Sequence, residues 1–161
     1  DMNSGKFLTG MTIIYFAQMM ALVLLSGVVV FLNMNGSQPS GDTDPALFKY
    51  IMYGLVPGAI VIAHMVFKQQ LSGLDSESTL RKKLTRFQTA MLIRSALIEV
   101  PGLLGAVFAL ITGDLTFLFF TGMVVALFVY WRPTVDTISA DLQLSEQERM
   151  VLSDPEGNLP Q

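Results

Sequence analysis

Polar residues divide the chain into four long apolar runs, at 11–32, 46–67, 88–111 and 115–131. Each is close to the ~20 residues that a helix needs to cross a bilayer. The runs lack the two-residue alternation of barrel strands, and a chain in lipid must satisfy its backbone N–H and C=O groups internally, so the pattern predicts helices. The expected fold is all-α: a polytopic membrane domain over residues 1–132, with four transmembrane helices in two antiparallel hairpins. A polar cytoplasmic tail with one short helix is expected over 133–161.

Local signals place the boundaries. Asp44 followed by Pro45 supplies a cap acceptor and a ring already set for the first helical turn, so the second helix starts there, after the polar NMNGSQPSGDTD loop. Asp75 or Ser76 is placed to cap a helix whose Leu80, Leu84, Phe87 and Met91 form one stripe, with Glu77 and Arg81 as an i,i+4 ion pair. The third helix is therefore expected to project beyond the membrane. Thr112-Gly113-Asp114 predicts a tight turn that makes helices three and four antiparallel neighbours. Tyr130 and Trp131 mark a membrane interface, and Arg132-Pro133 stops the fourth helix. Ser145 and Glu148 have capping-box spacing ahead of Met150, Val151 and Leu152, and the SDPEGNLPQ end reads as disordered.

Composition supports a membrane solvent and narrows the chemistry. Hydrophobic residues make up 52% and charged residues 14% of the 161, with a mean hydropathy of +0.53, outside the range of ordinary soluble domains. A net charge of -3 and a pI near 5.0 argue against a nucleic-acid partner. Cysteine is absent, which excludes disulfides, thiolate metal sites and covalent haem attachment. One histidine and the lack of GxGxxG, Walker, HExxH or GxSxG motifs leave no catalytic, metal or cofactor signature, so no enzyme activity, metal or cofactor is expected. The chain starts at Asp1 rather than Met, and the first run exceeds a signal-peptide core and lacks a clear cleavage site, so it is expected to be retained as a helix.

Basic residues set an orientation. Lys68, Arg81, Lys82, Lys83 and Arg86 fall between the second and third runs, whereas 33–46 and 112–115 hold no Lys or Arg. The positive-inside rule then places the middle loop and both termini in the cytoplasm, in a multi-pass inner-membrane protein. Lys6, Arg132 and Arg149 agree.

Glu99 is the most informative residue. It lies roughly 20 Å along the helix from Arg86 and about as far from Thr112 at 1.5 Å per residue, near the midplane and beyond snorkelling reach. Arg94 precedes it by five residues, so the two do not share a helix face, whereas Ser95, one turn earlier, does. Pro101 frees the Leu97 carbonyl from its helical hydrogen bond, adding an acceptor close to Glu99. Glu99 with Ser95 and Leu97 thus forms a candidate ion-binding site or helix clamp. Arg94 is an intramembrane charge within partial reach of headgroups, and His64, one turn before Lys68, is an interfacial hydrogen-bonding group or a relay. Small residues recur at helical spacing at Gly54 and Gly58 and at Gly105, Ala109 and Gly113, with Ala17/Ala21 and Gly122/Ala126 repeating the theme. Such stripes allow close helix packing in lipid. Pro57 and Pro101 are candidate kinks, and a pocket beside them is a candidate small-solute or lipid site.

The stretch Glu99-Val100-Pro101-Gly102-Leu103-Leu104-Gly105-Ala106-Val107 resembles the ion-carrying helix of ATP synthase subunit c, the proteolipid, in which a membrane carboxylate precedes an apolar run rich in small residues. That resemblance maps Glu99 onto the ion-binding carboxylate, and the basic loop between helices two and three fits the proteolipid hairpin. Here, however, the loop is long, helix two has no dense glycine repeat, and helices are added at both ends. More broadly, IRSALIE, the TGD turn and the RPTVDTISADLQLSEQE tail look like uncharacterised four-helix membrane proteins of Bacteroidota-type bacteria, a resemblance that implies no particular activity. IIYFAQMMALVLL and LIRSALIEVPGLL echo each other weakly, as duplicated hairpins would.

The expected function is therefore that of a non-enzymatic membrane subunit in contact with lipids, packed into a homo-oligomer or a complex with other membrane subunits. The alternative is proteolipid-like proton or sodium translocation through Glu99.

Overall fold

The computed structural model describes residues 3–36, 43–75 and 78–159. It builds them into six helices: α1 (Ser4–Met34), α2 (Pro45–Ser72), α3 (Leu80–Thr112), α4 (Leu118–Tyr130), α5 (Val135–Leu142) and α6 (Glu146–Ser153), with a 3-10 turn at Leu115–Phe117 leading into α4. α1, α2 and α3 are each long and apolar enough to cross a membrane. The 3-10 turn with α4, taken together with α5, makes a fourth candidate that bends by 82° at its break.

Capping chemistry explains most boundaries. The Asp44 side chain accepts the Ala46 N–H and Pro45 occupies the first turn of α2. Gly113 closes α3 in the left-handed conformation, φ 71°, which a Cβ disfavours. Asp114 then accepts from the backbone N–H and hydroxyl of Thr116 to start the 3-10 turn. Ser145 and Glu148 form the capping box of α6 reciprocally. α1 begins earlier than its apolar run because Asn3 accepts the Lys6 N–H and adds a polar first turn. Thr79, not Asp75, is the cap of α3 and accepts from Lys82 N–H. Ser76, the other candidate cap, and Glu77 of the expected ion pair lie outside the described residues.

α3 is the centre of the bundle, packing against α1, α2 and α4. α1 and α2 adjoin in sequence but barely meet; each leans on α3 instead. The central position shows in burial: 39% of the apolar window of α3 is buried, against 17% for α1 and 22% for α2. One core joins Met11, Leu22, Phe67, Leu84, Phe87, Met91, Ile98 and Phe128, and a second, nearer the Gly113 end, gathers Met52, Val56, Ala106, Phe117 and Phe120. Glycine sets the α3/α4 approach: a Cβ on Gly105 would lie 2.8 Å from Thr121 Oγ1 and 3.0 Å from the Phe117 carbonyl. The Thr121 hydroxyl donates to the Gly102 carbonyl at 2.7 Å across the same contact.

The segment after Pro133 forms two short helices rather than one, and it docks. The Ser4 and Gly5 N–H groups donate to the carbonyls of Gly157 and Pro155, and the Ser4 hydroxyl donates to Val151 O at 2.9 Å. Leu152 and Leu159 are buried in the first core. The end expected to be disordered is thereby tied to the start of α1, and the two ends of the described chain meet at one end of the bundle.

Candidate functional site

Two places gather the polar chemistry of the apolar helices. The first surrounds Glu99. It is half-buried on α3, bordered on the outer surface by the exposed Ala96, Val100 and Leu103. Among the described residues it has no hydrogen-bond or ion-pair partner. Ser95 does not turn toward it: its hydroxyl is buried and lies 2.7 Å from Gln18 Oε1 on α1 and 3.1 Å from Leu92 O, donating to these acceptors. Leu97 packs its side chain against the main core. The Ser95 hydroxyl, expected beside Glu99, is thus engaged with α1 instead. Pro101 is buried and Pro57 exposed, each inside a helix that continues through it.

The small-residue stripes divide in the same way. Gly105 and Ala109 are buried against α4 and the 3-10 turn, and Gly113 is the helix-ending residue already described. Gly54 and Gly58 on α2 face open space, with no heavy atom within 4 Å of a Cβ built there.

The second place is a cleft of about 1230 Å³ bounded by the last turns of α2, the first half of α3, the end of α4 and α5. Arg94 forms its inner wall and is only 4% exposed. Its guanidinium lies 3.8 Å from the Phe67 ring centre and 4.6 Å from that of Trp131, so it is held between two aromatic side chains by cation–π attraction. It donates to the Trp131 carbonyl at 3.5 Å.

Helix-end physics explains why an arginine fits there. At the end of α4 the Arg132 N–H turns to Val129 O and leaves the Phe128 carbonyl without its helical donor, and Pro133 has no N–H to offer. Tyr15 from α1 donates to the buried Phe128 carbonyl at 2.6 Å, and Arg94 donates to that of Trp131. A cation at the negative end of the α4 dipole is favourable as well.

His64 and Lys68 on α2 face Asp141 on α5 across the mouth of the cleft. The His64 ring lies nearly parallel to Trp131, with centres 6.3 Å apart. Stripping of water from one side of Asp141 raises its pKa, and Arg94, His64 and Lys68 pull partly in the opposite direction. Lower in the cleft, Lys83 is buried and bridges to Glu148 at 3.0 Å. Burial alone would raise the Glu148 pKa, but the Lys83 hydrogen bond and the Ser145 N–H outweigh it and hold the carboxyl below its ordinary range. Asp136 is engaged by Arg149 on the outside. At the opposite end of the bundle Lys49 bridges to Asp114 at 3.1 Å, and the two Thr116 hydrogen bonds depress the Asp114 pKa.

Of the expected residues, then, Arg94 and His64 come together, while Glu99 stands apart from both. Phe67, Lys68, Lys83, Trp131, Asp141 and Glu148 complete the cleft and were not singled out as site residues from sequence. The visible signal for them was the crowding of charge at the ends of the second and fourth apolar runs. Among the described residues no group of three or more His, Cys, Asp or Glu side chains is arranged to hold a metal ion. No protein-family model, curated protein or solved structure matches the chain.

Proposed function

We propose that this chain is a small, non-enzymatic integral membrane subunit that assembles, through the outer face of α3, with a second copy of itself or another membrane protein. The observation that carries the proposal is the position of Glu99, half-exposed at mid-span among apolar neighbours and without a partner in its own chain. A charge at the centre of a lipid-facing helix costs roughly 2.5–3.5 kcal/mol on insertion scales, and a neighbouring helix that offers an acceptor or a cation offsets that. The open glycines of α2, Gly54 and Gly58, add a second face on which another helix can approach closely. The basic residues between α2 and α3 favour the inner membrane, with this loop and both termini in the cytoplasm.

The experiment is size-exclusion chromatography with light scattering on protein extracted in mild detergent, comparing wild type with Glu99→Gln and Glu99→Leu. An oligomer or a co-purifying protein is expected for wild type, retained in part by the Gln variant and lost by the Leu variant. A strictly monomeric wild type with no companion overturns the proposal.

The same position of Glu99 also favours a second reading, proteolipid-like carriage of protons or sodium ions. Carbodiimide modification of Glu99 that slows with added sodium or at high pH supports carriage, and full function of Glu99→Gln rules it out.

A further inference from the structure

The Arg94 cleft is built differently from a place where a charge is merely parked. The guanidinium carries five donors, of which the only one engaged by a described residue makes a single long contact at 3.5 Å. Two aromatic rings fix its plane, and the side chain is nine-tenths buried while still forming cleft wall. Arginine held in this way is suited to a planar or tetrahedral oxyanion.

Charge bookkeeping along the cleft selects the ligand class. Lys83 is matched by Glu148, and Asp136 by Arg149. Of the remaining groups around the cleft, Arg94 and Lys68 supply positive charge and Asp141 supplies negative charge beside them, while Asp75, a second carboxylate of the lining, is itself engaged. A ligand with a phosphate and a nearby ammonium answers both signs at once, whereas a second bare anion would be repelled by Asp141. The walls are amphipathic in the matching order: Phe67, Leu71, Tyr130 and Trp131 provide apolar and interfacial surface next to the charged pair.

We infer that the cleft is a binding site for a phosphate–ammonium headgroup, with the phosphate on Arg94 and Lys68 and the primary ammonium on Asp141, as a zwitterionic phospholipid of the bilayer would present it. This inference shares the membrane placement of the proposal above but does not depend on Glu99 or on any partner chain, so either can fail alone.

The test is native mass spectrometry of the full chain released from detergent, titrated with phosphatidylethanolamine, phosphatidylcholine and phosphatidylglycerol of the same acyl chains. Soluble glycerophosphoethanolamine serves as competitor. Wild type is expected to retain the ethanolamine lipid about tenfold better than the choline lipid, the factor that one charge-assisted hydrogen bond supplies. Asp141→Asn is expected to abolish this preference, weakening the ethanolamine lipid about tenfold more than the choline lipid. Lys68→Gln, at an exposed position that the fold does not need, is expected to weaken all three lipids. Arg94→Gln should weaken them further, and circular dichroism and elution volume report whether that variant still folds. Displacement by glycerophosphoethanolamine at equal concentration would assign the same chemistry to a soluble ligand and overturn the lipid source. Equal retention of the three lipids by wild type, or an unchanged preference in Asp141→Asn, would overturn the site itself.

Discussion

Gly105→Ala adds one methyl group at the place where α3 and α4 approach most closely through glycine. The new Cβ would sit 2.8 Å from Thr121 Oγ1 and 3.0 Å from the Phe117 carbonyl oxygen. Ordinary carbon–oxygen contacts start near ~3.3 Å, so both are too short by a few tenths of an ångström. Thr121 cannot simply rotate away, because its hydroxyl donates to the Gly102 carbonyl at 2.7 Å. Phe117 O belongs to backbone, and moving it shifts the start of α4. Overpacking of this kind costs about 1–3 kcal/mol, and losing the Thr121 bond adds about 1. Alanine returns about 0.5–1 kcal/mol of helix propensity, leaving a net loss of about 1–3 kcal/mol. Gly54→Ala supplies the control: its Cβ meets nothing within 4 Å, so only the propensity gain of about 0.5–1 kcal/mol applies in the isolated chain. Reversible unfolding in mixed micelles, followed by circular dichroism, measures both. If Gly105→Ala is as stable as wild type while Gly54→Ala loses stability, the packing described for α3 and α4 is wrong.

Tyr15→Phe removes the donor to the Phe128 carbonyl and should destabilise the bundle by about 1–2 kcal/mol in the same unfolding assay. The Glu148 carboxyl is held below its ordinary value of 4.5 by Lys83 and Ser145, so its contribution is present above that value and lost as pH falls through the lowered folded-state pKa. Melting temperature should therefore drop on acidification in wild type, with a shallower drop in Glu148→Gln. Asp141 shows the opposite sign: its pKa is raised above the ordinary 3.8, so wild type loses stability as pH climbs through the raised value. Asp141→Asn should be the more stable protein at pH 7 and lose that advantage below pH 3.8, as read from paired melting curves.

The apolar runs made the cores of the three long helices and of the shorter α4 legible, because runs of that length in a charge-poor chain leave few alternatives. Asp44-Pro45, Gly113 and the Ser145/Glu148 pair were legible for a different reason: capping acts within three or four residues, so spacing alone carries it. The ends of α1 and α3 were less visible. Asn3 extends α1 through a polar turn that hydropathy does not mark, and Thr79 starts α3 a few residues later than the caps that spacing offered at Asp75 or Ser76. Arg94 illustrates the larger gap. Its aromatic neighbours Phe67 and Trp131 come from α2 and from the end of α4, and no local pattern ties them to α3. Ser95 looked like a neighbour of Glu99 by helical spacing, but α1 brings Gln18 to its other side and claims the hydroxyl. The docking of the tail on Ser4 and Gly5 depends on backbone hydrogen bonds between distant segments, which leave no trace in composition.

The open surroundings of Val100, which is 51% exposed beside Glu99, make one measurement especially direct. A benzophenone amino acid placed at position 100 and irradiated in native membranes reports what covers the outer face of α3. Assembly through this face predicts a protein adduct, either a dimer of the chain or a single larger species, that disappears when Glu99→Leu is combined with the probe. Adducts to lipid alone, unchanged by Glu99→Leu, would show that the face of Glu99 meets the bilayer and would contradict the account.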